Sequence, residues 1–369
     1  MHLHTEEERY GRKKERNTGR LRRILVDAIC NPHWHGRELA ETTGDLILLA
    51  YLGGADILGP MPNTKIPLLT ARDTTVYVEG CRRLALRRKL RMRFIPIVML
   101  NEDTTYGELT KCKKAGIVDG KIYPYLRTTR SAHGVKHWGK MIQVVKWCGE
   151  LGIKVHVHFE HPDLGYIDRE CEYLCLPVCQ IFLEETDAII VWEHGSDSRC
   201  IPMWKKFAKT GRFFLTITAH HLAWNEDDAS GDVRKRCRPL IKPEPDRNAL
   251  VYLVCEDCDW VMLGADDAAH PVDAKHIHDG KCACGDFTSP FLHLLCAHAL
   301  DCLLQTKRGI TIYNNFTSRN GRRFHKLGKA SRQIGIIRRP SRIQPSYKVG
   351  PWIVESAGAK EELLYSFTS

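Results

Sequence analysis

The chain has 369 residues, 43% of them hydrophobic, and a formal net charge of +11 at neutral pH. That apolar share excludes global disorder. No run approaches the roughly 18 apolar residues of a membrane-spanning helix, and the polar, charge-rich start lacks the apolar stretch of a secretory signal. At about 150 residues per domain the length suits two or three domains, or one α/β barrel of about 250 residues with extensions. The 15 cysteines show no regular framework. Without an export signal they read as reduced thiols of a cytoplasmic protein. The charge is uneven: from Lys307 to Lys348 there are 12 Lys or Arg and no acid. Such a run reads first as a solvated basic edge, and only second as a nucleic-acid patch.

Eight apolar runs of strand length are expected, at Ile24–Cys30, Ala55–Leu58, Phe94–Leu100, Gly116–Val118, Lys154–His158, Ala188–Trp192, Phe213–Ile217 and Trp260–Leu263. Most are continuously apolar, as parallel strands buried on both faces require. Between them lie helical stretches at Thr70–Leu90, Val135–Leu151, Asp168–Glu185, Ile201–Thr210 and Pro290–Gln305. Pro177 predicts a break in the third of these, and Pro290 suits a first turn. Strands alternating with helices imply parallel βα units, and eight of them close a (β/α)₈ barrel. An open doubly wound sheet is the alternative, but no G-x-G-x-x-G follows the first strand. The expected division is a basic extension over 1–20, a catalytic barrel over 21–330 and a C-terminal extension over 331–369.

Polar, ligand-type residues gather behind the strands, where barrel enzymes build their sites. His33 and His35 follow the first run. Two apart in an extended segment, they face one side and can meet one metal ion. His158, His194 and Asp266 stand at later strand ends. Four histidines and an aspartate at one barrel mouth exceed a single tetrahedral zinc and suggest two metals. His156 points the same way as His158 and is a weaker candidate for its place. His2 and His4 share the H-x-H spacing but follow no strand. Cys171, Cys175 and Cys179 read as a buried helix stripe. Cys255 and Cys258 lie on the other side of a strand from Cys282 and Cys284, too far for one shared site.

Taken in order, the motifs resemble the dihydroorotases of the monofunctional bacterial type, in the amidohydrolase superfamily. They are H-x-H-x-R at His33, His35 and Arg37; M-P-N at Met61 to Asn63; K-x-Y-P at Lys121 to Pro124; and T-T at Thr128 and Thr129. Then come V-H-x-E at Val157 to Glu160, E-H at Glu193 and His194, H-H-L at His220 to Leu222, G-x-D-x-A-x-H at Gly264 to His270, and N-G at Asn320 and Gly321. The resemblance runs from about Ile24 to Phe324 and implies a metal-dependent hydrolase barrel. It implies two Zn²⁺ per chain, bridged by a carboxylated Lys121. His33, His35 and Asp266 would hold one ion, and His158 and His194 the other. Arg37, Asn63 and His270 would bind the substrate carboxylate, with Thr128 and Thr129 near the substrate. Asp266 would be the catalytic acid and base.

The implied reaction interconverts L-dihydroorotate and N-carbamoyl-L-aspartate, in pyrimidine synthesis. The expected partner is this small molecule; a homodimer is compatible with the sequence, and membranes and nucleic acid are not expected. Several positions depart from the family pattern: Ala265, Asp267 and Ala269 around the aspartate, Tyr125-Leu126-Arg127 before the threonines, Trp34, and Arg238 within Cys237-Arg238-Pro239. Two other readings stand beside this one. A hydantoinase- or allantoinase-like cyclic amidase would not need the carboxylate site. An inactive barrel serving as scaffold or nucleic-acid binder would not need the ligands.

Overall fold

Eight parallel strands carry the chain around a barrel in the computed structural model, which describes residues 22–38, 40–163, 168–276 and 282–368. The strands are β1 (Ile29–His35), β2 (Ala55–Pro60), β3 (Ile97–Leu100), β4 (Asp119–Ile122), β5 (Lys154–Val157), β6 (Ile190–Trp192), β7 (Phe213–Ile217) and β8 (Val261–Leu263). Strands β3 to β8 pair in sequence order as one parallel sheet, and β1 pairs with β2 in a second. Two short stretches join the sheets. Arg93–Phe94, just before β3, pairs with β2, and Asp267–Ala268, just after β8, pairs with β1. The third and eighth strands therefore change partner midway, and that closes the barrel.

Each changeover has a local cause. Pro96 interrupts the third strand because it has no N–H to give to a ladder. The eighth breaks at Asp266, which takes a positive φ of 46°. Asn31 of β1 bridges that second seam: its Oδ1 accepts from the Ala265 N–H at 2.9 Å and from the His33 N–H at 3.2 Å.

Helices cover the outside, among them α1 (Glu41–Leu52), α2 (Ala71–Arg87), α3 (Tyr106–Lys114), α4 (Trp138–Leu151), α5 (Leu176–Glu185) and α6 (Ile201–Ala208). In α2 the buried Thr74, Tyr77, Val78, Cys81, Leu84 and Ala85 recur at helical spacing, so one stripe packs inward. Thr70 caps it by accepting from the Asp73 N–H. The chain ends meet: Arg23–Asp27 pairs antiparallel with Gln333–Ile337, which also pairs with Ser366–Phe367. Among the described residues, no helix is long and apolar enough to cross a membrane.

Two expectations about elements change, and a third is met. The first apolar run is two strands, Arg23–Asp27 in the terminal sheet and β1 in the barrel, so His33 and His35 lie on β1 itself. The fourth strand is Asp119–Ile122, not Gly116–Val118, because Gly116 adopts φ 76° in the turn that leaves α3. Lys121 is thus on the strand. The break expected at Pro177 is present: a short 3₁₀ turn, Tyr173–Cys175, ends where α5 starts at Leu176, and the proline occupies the first turn of α5, where no N–H is needed. The expected basic extension over 1–20 lies outside the described residues.

Candidate metal centre

The C-terminal ends of the strands converge on one buried cluster. His33 and His35 leave β1 on the same face, as a two-residue period dictates. Their Nε2 atoms stand 3.1 and 3.0 Å from the same oxygen, Asp266 Oδ1. The His33 ring lies 5.2 Å from that of His194, and the His194 ring 4.4 Å from that of His158. His33, His194 and Asp266 offer ligand atoms that all lie within 4.8 Å of one another. Lys121, from β4, is fully buried at the same centre.

Alternation explains some placements and fails for others. Glu193 and His194 are consecutive yet both serve the cluster, because His194 takes φ 44° and turns its ring back inward. Asp266 turns inward with φ 46°, while Asp267 points the other way and accepts from the Thr288 and Ser289 N–H groups at 2.6 and 2.7 Å. Left-handed backbone at non-glycine residues is strained, and here it falls on two members of the cluster.

The outer contacts select which ring nitrogen faces in. His33 Nδ1 donates to Glu193 Oε2 at 2.8 Å, so Nε2 is the free donor atom. His158 Nε2 is held by Glu160 Oε2 at 2.6 Å, leaving Nδ1. Carboxylates behind histidines orient ligands in this way in metal sites. His156 does not take the place of His158. Both its nitrogens are engaged, with Asp119 at 3.0 Å and Glu193 at 2.6 Å, one layer further back along the strand.

The electrostatics fit a cation-binding site. Lys121 Nζ and both nitrogens of His194 are buried without a hydrogen-bond partner, a costly condition in an isolated protein. Burial lowers the Lys121 amine to about 8, although Glu193 and Asp266 pull it up. Burial also lowers His35 to about 4 and puts His194 well below the usual imidazole range. For Asp266, burial pushes the carboxyl up, but His33, His35 and His194 outweigh it and hold it well below the usual range. Neutral imidazoles, an ionised carboxylate and an orphaned amine in one water-poor cluster form a donor set of the metal-binding type.

Beside the cluster a pocket is lined by Arg37, Asn63, Thr128, Thr129 and Arg238. Arg37 Nε donates to the Ala269 carbonyl at 2.6 Å, and its Nη2 lies 2.9 Å from His270 Nε2. Asn63 Nδ2 donates to the Thr129 carbonyl at 3.0 Å, and Tyr123 donates to Asn63 Oδ1. Thr129 Oγ1 donates to the Cys284 carbonyl, which draws the loop after β4 over the pocket. All eleven residues singled out from the sequence therefore stand in the cluster or around this pocket.

Sequence reasoning passed over the roles of Glu193, Glu160, Asp119 and Asp168. Glu193 had a signal, its place beside His194, but strand alternation alone would put consecutive residues on opposite faces. None of the cysteines joins this cluster. Cys282 and Cys284 bond to local carbonyls, whereas Cys258 contacts Glu256.

No family model matches the chain. A dihydroorotase of Helicobacter hepaticus is 30% identical over 257 residues, covering 66% of this chain and 71% of that protein. One of Shewanella baltica is 26% identical over 331 residues, covering 86% and 92%. Among solved structures, the dihydroorotase of Saccharomyces cerevisiae in complex with 5-fluoroorotic acid superposes with a TM-score of 0.85 at 23% identity, over 94% of this chain and 98% of that one. The L-hydantoinase of Arthrobacter aurescens shares the fold at 12% identity, with a TM-score of 0.77 over 94% and 83%.

Proposed function

This chain belongs to the dihydroorotase family of the amidohydrolase superfamily, and on that premise we propose that it interconverts L-dihydroorotate and N-carbamoyl-L-aspartate. The observation that carries the reading is the pairing of a buried His/Asp/Lys cluster with an adjacent pocket lined by Arg37 and Asn63, with His270 set against Arg37. A cyclic amide alone needs the cluster. Only a substrate with a carboxylate needs the second part.

In this reading His33, His35 and Asp266 would hold one zinc ion, and His158 and His194 a second. Lys121, carboxylated by carbon dioxide, would supply a carbamate ligand to both. Its buried, depressed amine supports this, since a neutral amine is the form that adds to carbon dioxide. When bound, the ions lower the pKa of a water and polarise the amide carbonyl. Arg37, with Asn63 and His270, fixes the substrate carboxylate by charge-assisted hydrogen bonds. Asp266 is ionised at rest and takes the proton of the attacking water. The water oxygen then bonds to the carbonyl carbon, the ring C–N bond breaks, and Asp266 returns its proton to the leaving nitrogen. Synthesis reverses each step. A cytoplasmic, small-molecule enzyme of pyrimidine synthesis follows from the same reading.

The test is turnover of dihydroorotate beside hydantoin and allantoin, in the parent and in Arg37→Ala. Dihydroorotate should be preferred. Arg37→Ala should raise its KM by an amount matching roughly 1.5–3 kcal/mol, the value of a charged hydrogen bond, with zinc content unchanged. A parent that prefers an uncharged ring sinks the reading.

A further inference from the structure

The pocket holds two guanidinium groups, and the reaction as described uses one. Arg37 is fixed by the Ala269 carbonyl and His270. Arg238 lines the same pocket from another segment, beside Asp266 and Cys284. Its side chain is only 11% exposed. Nη1 stands 2.6 Å from Asp168 Oδ1 and 3.8 Å from Glu160 Oε1. Nε and Nη1 are both buried without a hydrogen-bond partner, the approach of Nη1 to Asp168 being an ion pair. An unmet buried donor on a charged group is unfavourable and calls for an acceptor.

Charge decides which acceptor fits. Arg238 already faces two carboxylates, Asp168 and Glu160, whose pull raises its pKa although burial opposes it. Its positive charge is therefore compensated, and what it offers the pocket is an N–H donor rather than a net charge. A neutral carbonyl matches that offer better than a second anion. In the proposed substrates the carboxylate goes to Arg37, Asn63 and His270, and the reacting carbonyl faces Asp266 and Lys121. The remaining acceptor is the ureido oxygen, the carbonyl flanked by two nitrogens.

We propose that Arg238 is a specificity-determining residue whose Nε–H donates to the ureido oxygen of the substrate. The proposal rests on the functional reading above. Asp168 acts as a positioning residue: its Oδ1 also accepts from Arg127 Nη1 at 2.9 Å, so it holds Arg238 from a second arginine-anchored side. The ureido group is present in both the ring and the opened chain. The contact therefore persists through the reaction and acts on binding more than on the barrier.

The test compares two ligands on zinc-loaded parent, Arg238→Leu and Arg238→Gln. One is 5-fluoroorotic acid, which carries carboxylate and ureido groups. The other is succinate, which has carboxylates alone. Calorimetry should show 5-fluoroorotic acid weakened roughly 10- to 100-fold in Arg238→Leu, with succinate within about threefold of the parent. Arg238→Gln, which keeps a neutral donor, should fall between. KM for dihydroorotate should rise with kcat changed much less. Equal weakening of both ligands, or no weakening of 5-fluoroorotic acid, overturns the proposal. If Arg238→Leu fails to fold, Arg238→Gln decides by the same ratio. Dihydroorotate turnover by the parent is measured alongside: its absence overturns the functional reading, whereas the ratio of the two ligands' affinities judges Arg238.

Discussion

In the proposed reading Asp266 is both metal ligand and proton carrier, and its backbone departs from the strand around it. At φ 46° it leaves the strand alternation and turns its carboxylate onto His33 and His35. Asp266→Asn keeps the size but cannot take a proton, so kcat should fall at least about 100-fold, the usual loss for a general base. Steady-state kinetics at saturating dihydroorotate checks this, and a parent-like kcat assigns the proton to another group. Lys121 gives a second test. With its amine at about 8 instead of 10.5, about a tenth of it is neutral at pH 7. Only that fraction can add to carbon dioxide, and it shrinks as pH falls. Zinc uptake by metal-free protein should therefore quicken with added bicarbonate and slow from pH 8 to pH 6. Metal analysis over time reads this directly. Lys121→Ala should bind less zinc and ignore bicarbonate.

At the scale of elements, the eighth strand shows what the sequence could and could not disclose. The run at Trp260–Leu263 is legible, and so is H-x-H on β1, because a period of two survives whatever the surroundings. The switch of the eighth strand from β7 to β1 is not legible, since it depends on the Asn31 side chain meeting the Ala265 N–H across more than 230 residues of chain. Nor is Glu193 behind His33, because the positive φ at His194 has no signature in residue types. The start of β4 was misplaced for a local reason: Gly116–Val118 is as apolar as a strand, but Gly116 belongs to a turn. Asp267 ties the eighth strand to the next segment through the Thr288 and Ser289 N–H groups and the Ser289 hydroxyl. Asp267→Ala leaves those buried donors unmet, at about 1–3 kcal/mol each before relaxation. The expected net loss is about 2–4 kcal/mol, seen as a lower denaturant midpoint at an unchanged slope. Because Asp267 faces away from the cluster, zinc stoichiometry should stay at the parent's value.

Across the whole molecule, charge and metal site both join distant parts of the chain. The basic run from Lys307 to Lys348 is answered by acids from elsewhere: Arg319 pairs with Asp27 at 2.7 Å, Arg338 with Asp301 at 3.0 Å, and Arg322 with the buried Asp56. These contacts make the run part of the barrel's closure and weaken its reading as a free nucleic-acid face. The cluster does the same at the opposite end of the strands. His33 and His35 lie on β1 and Lys121 on β4, while His158, His194 and Asp266 follow one, two and three residues after the ends of β5, β6 and β8. In the unfolded chain these groups lie far apart, so ions that bind them favour the folded barrel as a unit. Free ion at about 1,000 times its dissociation constant adds about 4 kcal/mol to stability. Removing zinc with a chelator should therefore lower the melting temperature of the whole protein in one cooperative transition, and zinc should restore it. Lys121→Ala should show a smaller chelator-induced drop, because its site holds less metal to lose. Scanning calorimetry with and without chelator measures both. A melting temperature that stays fixed while metal analysis shows the zinc gone would mean that the barrel holds this cluster together without the ions, and the cluster would then be structural.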